Sequence, residues 1–412
     1  MKTYFVTGSV SAGSPVDAAS FFLCISDCEV GVGLLRPCCE VCMVFDFIKS
    51  WGRCGGAVEK DRLKPRVGIT GSFGRGNYGD ELYVQNYKHW FGSWAELHLL
   101  TGLQRSYYLK EFAEARVDLM DSVVLGGGDL LCPYRSKIDR DFIHPSYLRR
   151  PLHVAGIGVE RNKPEVNIDT VQEWKKFLGG SNVRSISVRD PGSKKWIEEK
   201  INPEVPVLSH PDLVCALPLP SIKKLHGPPV LGIVTRHIKH PKEYLVMTEV
   251  GRRLASQGWR VRHIIGGVGE HGRKDYENSK HVEIEGKEVV FSHNLDDISR
   301  ALGECSLVLS MKLHTTLVAT MYGVPTVAVN PVVKAKAFMR SIGREELAIH
   351  PDDERLLSLV ESGVPPVPMQ EVQRLREEAS DYMRALSQNI WSEFRGASHV
   401  RRKLLSKKPS MP

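Results

Sequence analysis

From Arg66 onward the chain alternates short apolar runs with longer amphipathic stretches, and few folds accommodate that alternation. A buried strand followed by a helix, repeated, is the signature of β-α units that build a parallel sheet covered by helices. In the first half, strands are expected at 67–70, 97–100, 122–125, 152–155, 185–188 and 207–209, with helices between them such as 79–91 and 170–177. Pro218, Pro220, Pro228 and Pro229 then interrupt any helix or central strand, so residues 217–229 read as a linker. A second series follows, with strands at 231–235, 260–265, 289–291, 307–309 and 326–329. Residues 370–394 place Val372, Leu375, Ala379, Tyr382, Met383, Leu386, Ile390 and Trp391 at near-helical spacing. The expected fold is α/β: two facing Rossmann-like, doubly wound domains over 66–216 and 230–363, a closing helix over 369–395 and a basic tail over 396–412.

Charge and apolar length narrow the classes of function. The formal charge is +8, but Arg401, Arg402, Lys403, Lys407 and Lys408 carry five of those charges, leaving the folded body near +3. A nucleic-acid binder spreads a basic stripe over its folded surface, so nucleic acid is not an expected partner. A small anionic substrate suits the balance better. The most apolar stretch, residues 18–48, is broken by Asp27, Glu29, Arg36, Glu40 and Asp46, which excludes it as a membrane span. No apolar core with a small-residue cleavage site follows Lys2, so a cytoplasmic location is expected, with the tail offering peripheral contact to anionic membrane. Cys24, Cys28, Cys38, Cys39, Cys42 and Cys54 precede the first strand; their spacing lacks the paired knuckles of a zinc ribbon, and residues 1–65 read as a Cys-rich, disordered extension with no metal site.

Chemistry-bearing residues cluster just after expected strands, where open α/β sheets bind ligands. The first cluster is Gly71-Ser-Phe-Gly74-Arg-Gly76-Asn77-Tyr78-Gly79-Asp80-Glu81. It contains a G-x-G-x-x-G match, but Asp80 and Glu81 at the helix N-terminus repel the pyrophosphate that a dinucleotide would place there. No ribose-binding acid follows the second strand, so no nicotinamide or flavin cofactor is expected. Gly74, Gly76 and Gly79 read instead as a backbone cradle for substrate hydroxyls with Asn77 and Asp80 as polar contacts, or as a plain turn capped by Asp80. Gly126, Gly127, Gly128 and Asp129 form a second turn, for which an ordinary sharp corner is an equal reading. Gly156-Ile157-Gly158, Ser187-Val188-Arg189-Asp190 and His210-Pro211-Asp212 follow further strands. Ser310-Met311-Lys312-Leu313-His314 closes one strand and opens a helix, and Lys334 lies beyond the next. A cation and an imidazole beside free helix N–H groups hold a carboxylate or phosphate well.

In their order these elements resemble the polysaccharide pyruvyltransferase family: G-x-x-G-x-N-x-G-D-E, G-G-G, G-I-G, V-R-D, an aspartate before the linker, S-x-R-L-H, G-V-P, then Lys334 and Phe338. The resemblance spans residues 66–343. Lys312 stands where the family usually has arginine, exchanging a two-pronged planar donor for a point charge. The resemblance implies two domains similar to the GT-B glycosyltransferases and transfer of pyruvate from phosphoenolpyruvate to a sugar as a cyclic ketal, with phosphate released and no further cofactor. It implies His314 as acid, Asp80 or Asp212 as base, and Arg189, Lys312, Leu313 and Lys334 as donor contacts. It implies a glycan acceptor of polysaccharide or cell-envelope biosynthesis and leaves open whether that acceptor is lipid-linked. A nucleotide-sugar glycosyltransferase of the same shape and an inactive carbohydrate-binding homologue are the alternatives.

Overall fold

The computed structural model describes residues 64–100, 116–138, 142–223, 226–238, 241–351 and 353–406, with the side chains of 241 and 398–406 left aside. The Cys-rich extension and its six cysteines lie outside the described residues.

The first half builds strands and helices in the order β1 (Arg66–Thr70), α1 (Tyr78–Phe91), β2 (Glu96–Leu99), β3 (Ser122–Gly126), β4 (Asp129–Leu131), β5 (Leu152–Val159), α2 (Ile168–Leu178), β6 (Val183–Val188), α3 (Pro191–Lys200) and β7 (Val207–Ser209). The sheet is parallel, in the order β2-β1-β3-β5-β6-β7, with β4 pairing off β5. β3 and β5 are buried along their whole length, as strands covered on both faces must be. Local capping fixes where the helices begin. Asn77 accepts the Gly79 N–H to start α1, and Asp190 accepts the Ser193 N–H to start α3, with Pro191 in its first turn. The G-I-G segment lies inside β5 rather than after it. Gly156, at φ +66, sits where the β5–β6 register shifts, so the strand bulges and continues.

The second half adds β8 (Val230–Val234), α4 (Leu245–Ser256), β9 (Arg260–Ile264), α5 (Gly269–Ser279), β10 (Glu288–Val290), α6 (Leu295–Gly303), β11 (Leu307–Ser310), α7 (Leu313–Met321), β12 (Thr326–Val329), α8 (Val333–Ser341), β13 (Ala348–Ile349) and α9 (Arg355–Glu361). Its sheet, also parallel, runs β10-β9-β8-β11-β12-β13. That is the Rossmann strand order, 3-2-1-4-5-6. The α/β class and the pair of doubly wound parallel sheets are therefore as the sequence led one to expect.

The last helix, α10 (Met369–Ser406), runs past the expected boundary at 395 and takes in Arg401, Arg402 and Lys403. Its Arg, Lys, Leu and Ala content favours helix, and the next proline is Pro409. Val372, Leu375, Ala379, Met383, Leu386 and Ile390 are buried in a core that also holds Tyr83 and Tyr87 of α1, Leu317 of α7 and Leu302 of α6. The two halves thus share apolar packing at their junction. The Tyr78 hydroxyl and the Ser299 hydroxyl, 2.6 Å apart, tie α1 to α6 within it.

Candidate active site

Each sheet turns a topological switch point toward the junction. Successive connections leave to opposite sides there, opening a crevice at the carboxyl ends of the strands. In the first sheet the switch lies between β1 and β3, whose ends carry the 71–80 loop and Gly127-Gly128-Asp129. In the second it lies between β8 and β11, which end at Thr235-Arg236 and Met311-Lys312. Between the two switch points is a cavity of about 260 Å³. Asn77, Gly79, Asp129, Glu160 and Asn162 line it from one half, and Arg236, His237, His271, Lys312, His314 and Lys334 from the other. No side chain caps α7, and the first backbone donor to close back into it is Thr316, onto the Lys312 carbonyl at 3.1 Å. The preceding N–H groups of the helix are left for a ligand.

His314 is tightly packed in this crevice. Its ring takes the space a side chain at position 79 would need, so that an added Cβ on Gly79 would overlap Nδ1 and Cγ. Tyr83 meets the ring edge-on, centroids 5.7 Å apart. Nε2 lies 3.3 Å from Oδ2 of Asp212, an ion contact rather than an aligned hydrogen bond. Asp212 itself is fixed on all sides: Oδ1 accepts the Val214 N–H at 3.1 Å, and Oδ2 accepts the Tyr83 hydroxyl at 2.7 Å and faces Nη1 of Arg189 at 3.5 Å.

Arg189 continues the chain of charges to Asp129, with which it forms a close ion pair, and Lys334 reaches the other oxygen of Asp129 at 3.3 Å. Burial alone would raise both carboxyls. For Asp212 the nearby His314, Arg189 and Tyr83 outweigh it and hold the group well below the usual carboxylate range. Arg189 and Lys334 lower Asp129 in the same sense. Asp80 behaves in the opposite sense. Burial pushes its carboxyl up, and His314, Lys334, Arg189 and a hydrogen bond from Ser72 only partly offset that.

These contacts change what several residues can do. Arg189 was expected to grip an anionic donor, but its side chain is only 4% exposed and lies between two carboxylates. Lys312 was expected to do likewise, but its ammonium pairs with Asp275 and donates to the Gly266 carbonyl at 2.8 Å. Lys334 is the most open of the three at 33% side-chain exposure, and Leu313 lies beside it. The two residues also line a neighbouring cavity of about 410 Å³ with Phe338 and Arg374. Asp212 was one of two expected bases, but its side chain is only 4% exposed and its oxygens already face the Val214 N–H, the Tyr83 hydroxyl, Arg189 and His314. The glycines are chiefly clearances for protein. A Cβ on Gly126 would strike the Tyr87 hydroxyl, on Gly127 the Tyr83 ring, on Gly76 the Val268 carbonyl, and on Gly128 would come 3.1 Å from Asp80. Gly74, at φ +75, has open space around it. Asn77 combines its cap with a place in the cavity wall.

Arg236, His237, His271 and Asp275 escaped the sequence reading. Arg236 carries the clearest signal in retrospect, since it follows the apolar run 230–234 as Arg189 follows 183–188. It makes no ion pair with a described residue, and burial lowers its pKa from the ordinary arginine value, with Glu243 and Tyr244 acting against that. His271 and Asp275 are one turn apart on α5, 3.9 Å from each other.

The structure is thus a parallel two-sheet α/β fold with a polar, cation-lined cleft between its two switch points. The chain belongs to the polysaccharide pyruvyl transferase family, whose profile matches residues 70–331. No curated protein matches it in sequence. Among solved structures it is similar to a variant of the O-GlcNAc transferase of Thermobaculum terrenum, at 17% identity over 82% of this chain and 68% of that one, TM-score 0.41. It is also similar to MnaA of S. aureus with UDP, at 10% identity over 84% and 99%, TM-score 0.49. The UDP-GlcNAc 2-epimerase of Neisseria meningitidis bound to UDP-GlcNAc gives 8% identity over 79% and 99%, TM-score 0.49. At these values nothing about the chemistry of this chain follows from them. Family membership supports a transferase of pyruvyl groups. Among the described residues no helix is long and apolar enough to cross a membrane.

Proposed function

We propose that the protein transfers pyruvate from phosphoenolpyruvate to a sugar of a polysaccharide or glycan precursor, forming a cyclic ketal and releasing phosphate. The observation that carries this reading is the meeting of an imidazole, an uncapped helix N-terminus and several cations in one small crevice between the two switch points. The donor is a compact dianion or trianion, and such a ligand suits Arg236, Lys334 and the α7 N–H groups.

The chemistry needs one proton delivered and two removed. His314 gives a proton to the methylene carbon of the enol, which becomes the methyl group, while the adjacent carbon turns electrophilic. A sugar hydroxyl adds to that carbon and loses its proton to a base. A second hydroxyl of the same sugar then displaces phosphate and closes the ring, losing its own proton. Of the two expected bases we assign the role to Asp80, whose carboxyl burial pushes up against the opposing effect of His314, Lys334 and Arg189. Cations beside the phosphate stabilise it as it leaves. No further cofactor is needed.

The test is phosphate release from phosphoenolpyruvate in the presence of a panel of glycan acceptors, together with thermal shifts. Stabilisation by phosphoenolpyruvate and acceptor-dependent phosphate release support the reading. Stabilisation by a nucleotide sugar alone would point to glycosyl transfer, and stabilisation by neither to a binding protein.

A further inference from the structure

We propose that Asp212 is a positioning residue for His314: its carboxylate beside Nε2 keeps the hydrogen on that nitrogen and so leaves Nδ1 as the nitrogen that works in the cavity. The inference rests on the reading of His314 as the proton donor and names the device that orients it. Four observations combine. Oδ2 of Asp212 is 3.3 Å from Nε2, and Nε2 is itself buried. Asp212 cannot turn away, because the Val214 N–H holds one oxygen and the Tyr83 hydroxyl the other. The ring cannot turn either, because Gly79 lies against its Nδ1 side and Tyr83 against its edge. No described residue hydrogen-bonds Nδ1, and His314 lines the cavity.

A carboxylate only accepts hydrogen bonds, so the nitrogen facing it must carry the hydrogen. In the neutral ring that leaves Nδ1 with a lone pair; in the charged ring it leaves Nδ1–H as the proton to give. Asp212 belongs to the first half and His314 to the second, so the pairing exists only when the two halves are docked. The arrangement is one in which the buried carboxylate never exchanges a proton with substrate and acts only through the imidazole.

The discriminating experiment is ¹⁵N NMR of the full chain labelled at histidine, with His314→Gln used to assign its two ring nitrogens. At a pH where the ring is neutral, the wild type is expected to show a protonated Nε2 and a bare Nδ1. Asp212→Asn is expected to abolish that preference, because the amide can present N–H to the ring and favour the other tautomer. Paired kinetics should show kcat for phosphate release down at least about 10²-fold in Asp212→Asn with phosphoenolpyruvate affinity changed less than about threefold, the pattern of a misoriented acid. A wild-type ring protonated at Nδ1, or Asp212→Asn with wild-type kcat, overturns the proposal. The NMR needs no turnover. If the wild type releases no phosphate with any acceptor, the functional reading fails while the tautomer still decides the role of Asp212.

Discussion

The ring of His314 fills the space where a Cβ on Gly79 would stand: no side chain larger than hydrogen fits at position 79 while the imidazole keeps its place. Gly79 is in the first turn of α1 and His314 in the first turn of α7, so two helix N-termini from different halves meet through this contact. Alanine suits a helix interior better than glycine. Gly79→Ala should therefore fold, push His314 from Asp212 and lower turnover about 10²-fold, the scale of a lost positioned acid. Steady-state phosphate release beside a melting curve checks it; normal turnover would show that His314 tolerates displacement.

Lys312 and Arg236 line the same cavity in different electrostatic circumstances. Lys312→Ala strips the partner from Asp275, whose side chain is 2% exposed, and breaking such a pair should cost about 3 kcal/mol or more of stability. Lys312→Arg should retain most of it. Arg236→Ala breaks no ion pair with a described residue and should change stability by less than about 0.5 kcal/mol. It should nonetheless weaken phosphoenolpyruvate binding by about 1.5 to 3 kcal/mol, the worth of a charged hydrogen bond. Denaturant titration and calorimetry separate the two; equal effects on affinity and stability at both positions would contradict the assignment.

His263 gives the fold a pH dependence away from the cleft. Burial, with Lys287 nearby, pushes its imidazole down to about 3, and its Nε2 lies 3.0 Å from the Thr235 hydroxyl. The unfolded ring takes up a proton below about pH 6.5 and the folded ring only near pH 3. In that interval the unfolded state binds more protons, so stability is complete above about pH 6.5 and falls as the pH drops through the window, by an amount on the order of 5 kcal/mol. His210, also lowered by burial, adds in the same sense. Comparing denaturant midpoints at pH 7.5 and 4.5, His263→Leu should lose less than the wild type. An identical loss in both would place the acid sensitivity elsewhere.

We predict weak contact between the basic residues 401–408 and anionic membrane. Each cation near such a surface contributes about 1 kcal/mol, so Arg401, Arg402 and Lys403 with Lys407 and Lys408 support weak, salt-sensitive binding. Cosedimentation with phosphatidylserine vesicles at low salt should fall on deleting residues 399–412 and vanish at high salt. Binding unchanged by the deletion refutes it.

Periodicity and turn chemistry were enough to read the α/β class, both parallel sheets and most strand ends, because a strand or a capped helix is specified by residues a few positions apart. The corner at Ser310 to His314 was legible for the same reason: an apolar strand must end and a helix begin there. The charge state of the site was not. Whether Arg189 is free or held depends on Asp129, 60 residues away, and whether Asp212 can act as a base depends on Tyr83, 129 residues away. Gly79 read as a cradle for substrate until the fold brought His314 against it. Local sequence places a charged group at the end of a strand, but only docking the two halves decides which opposite charge it meets, how much water it loses and therefore what is left for a ligand.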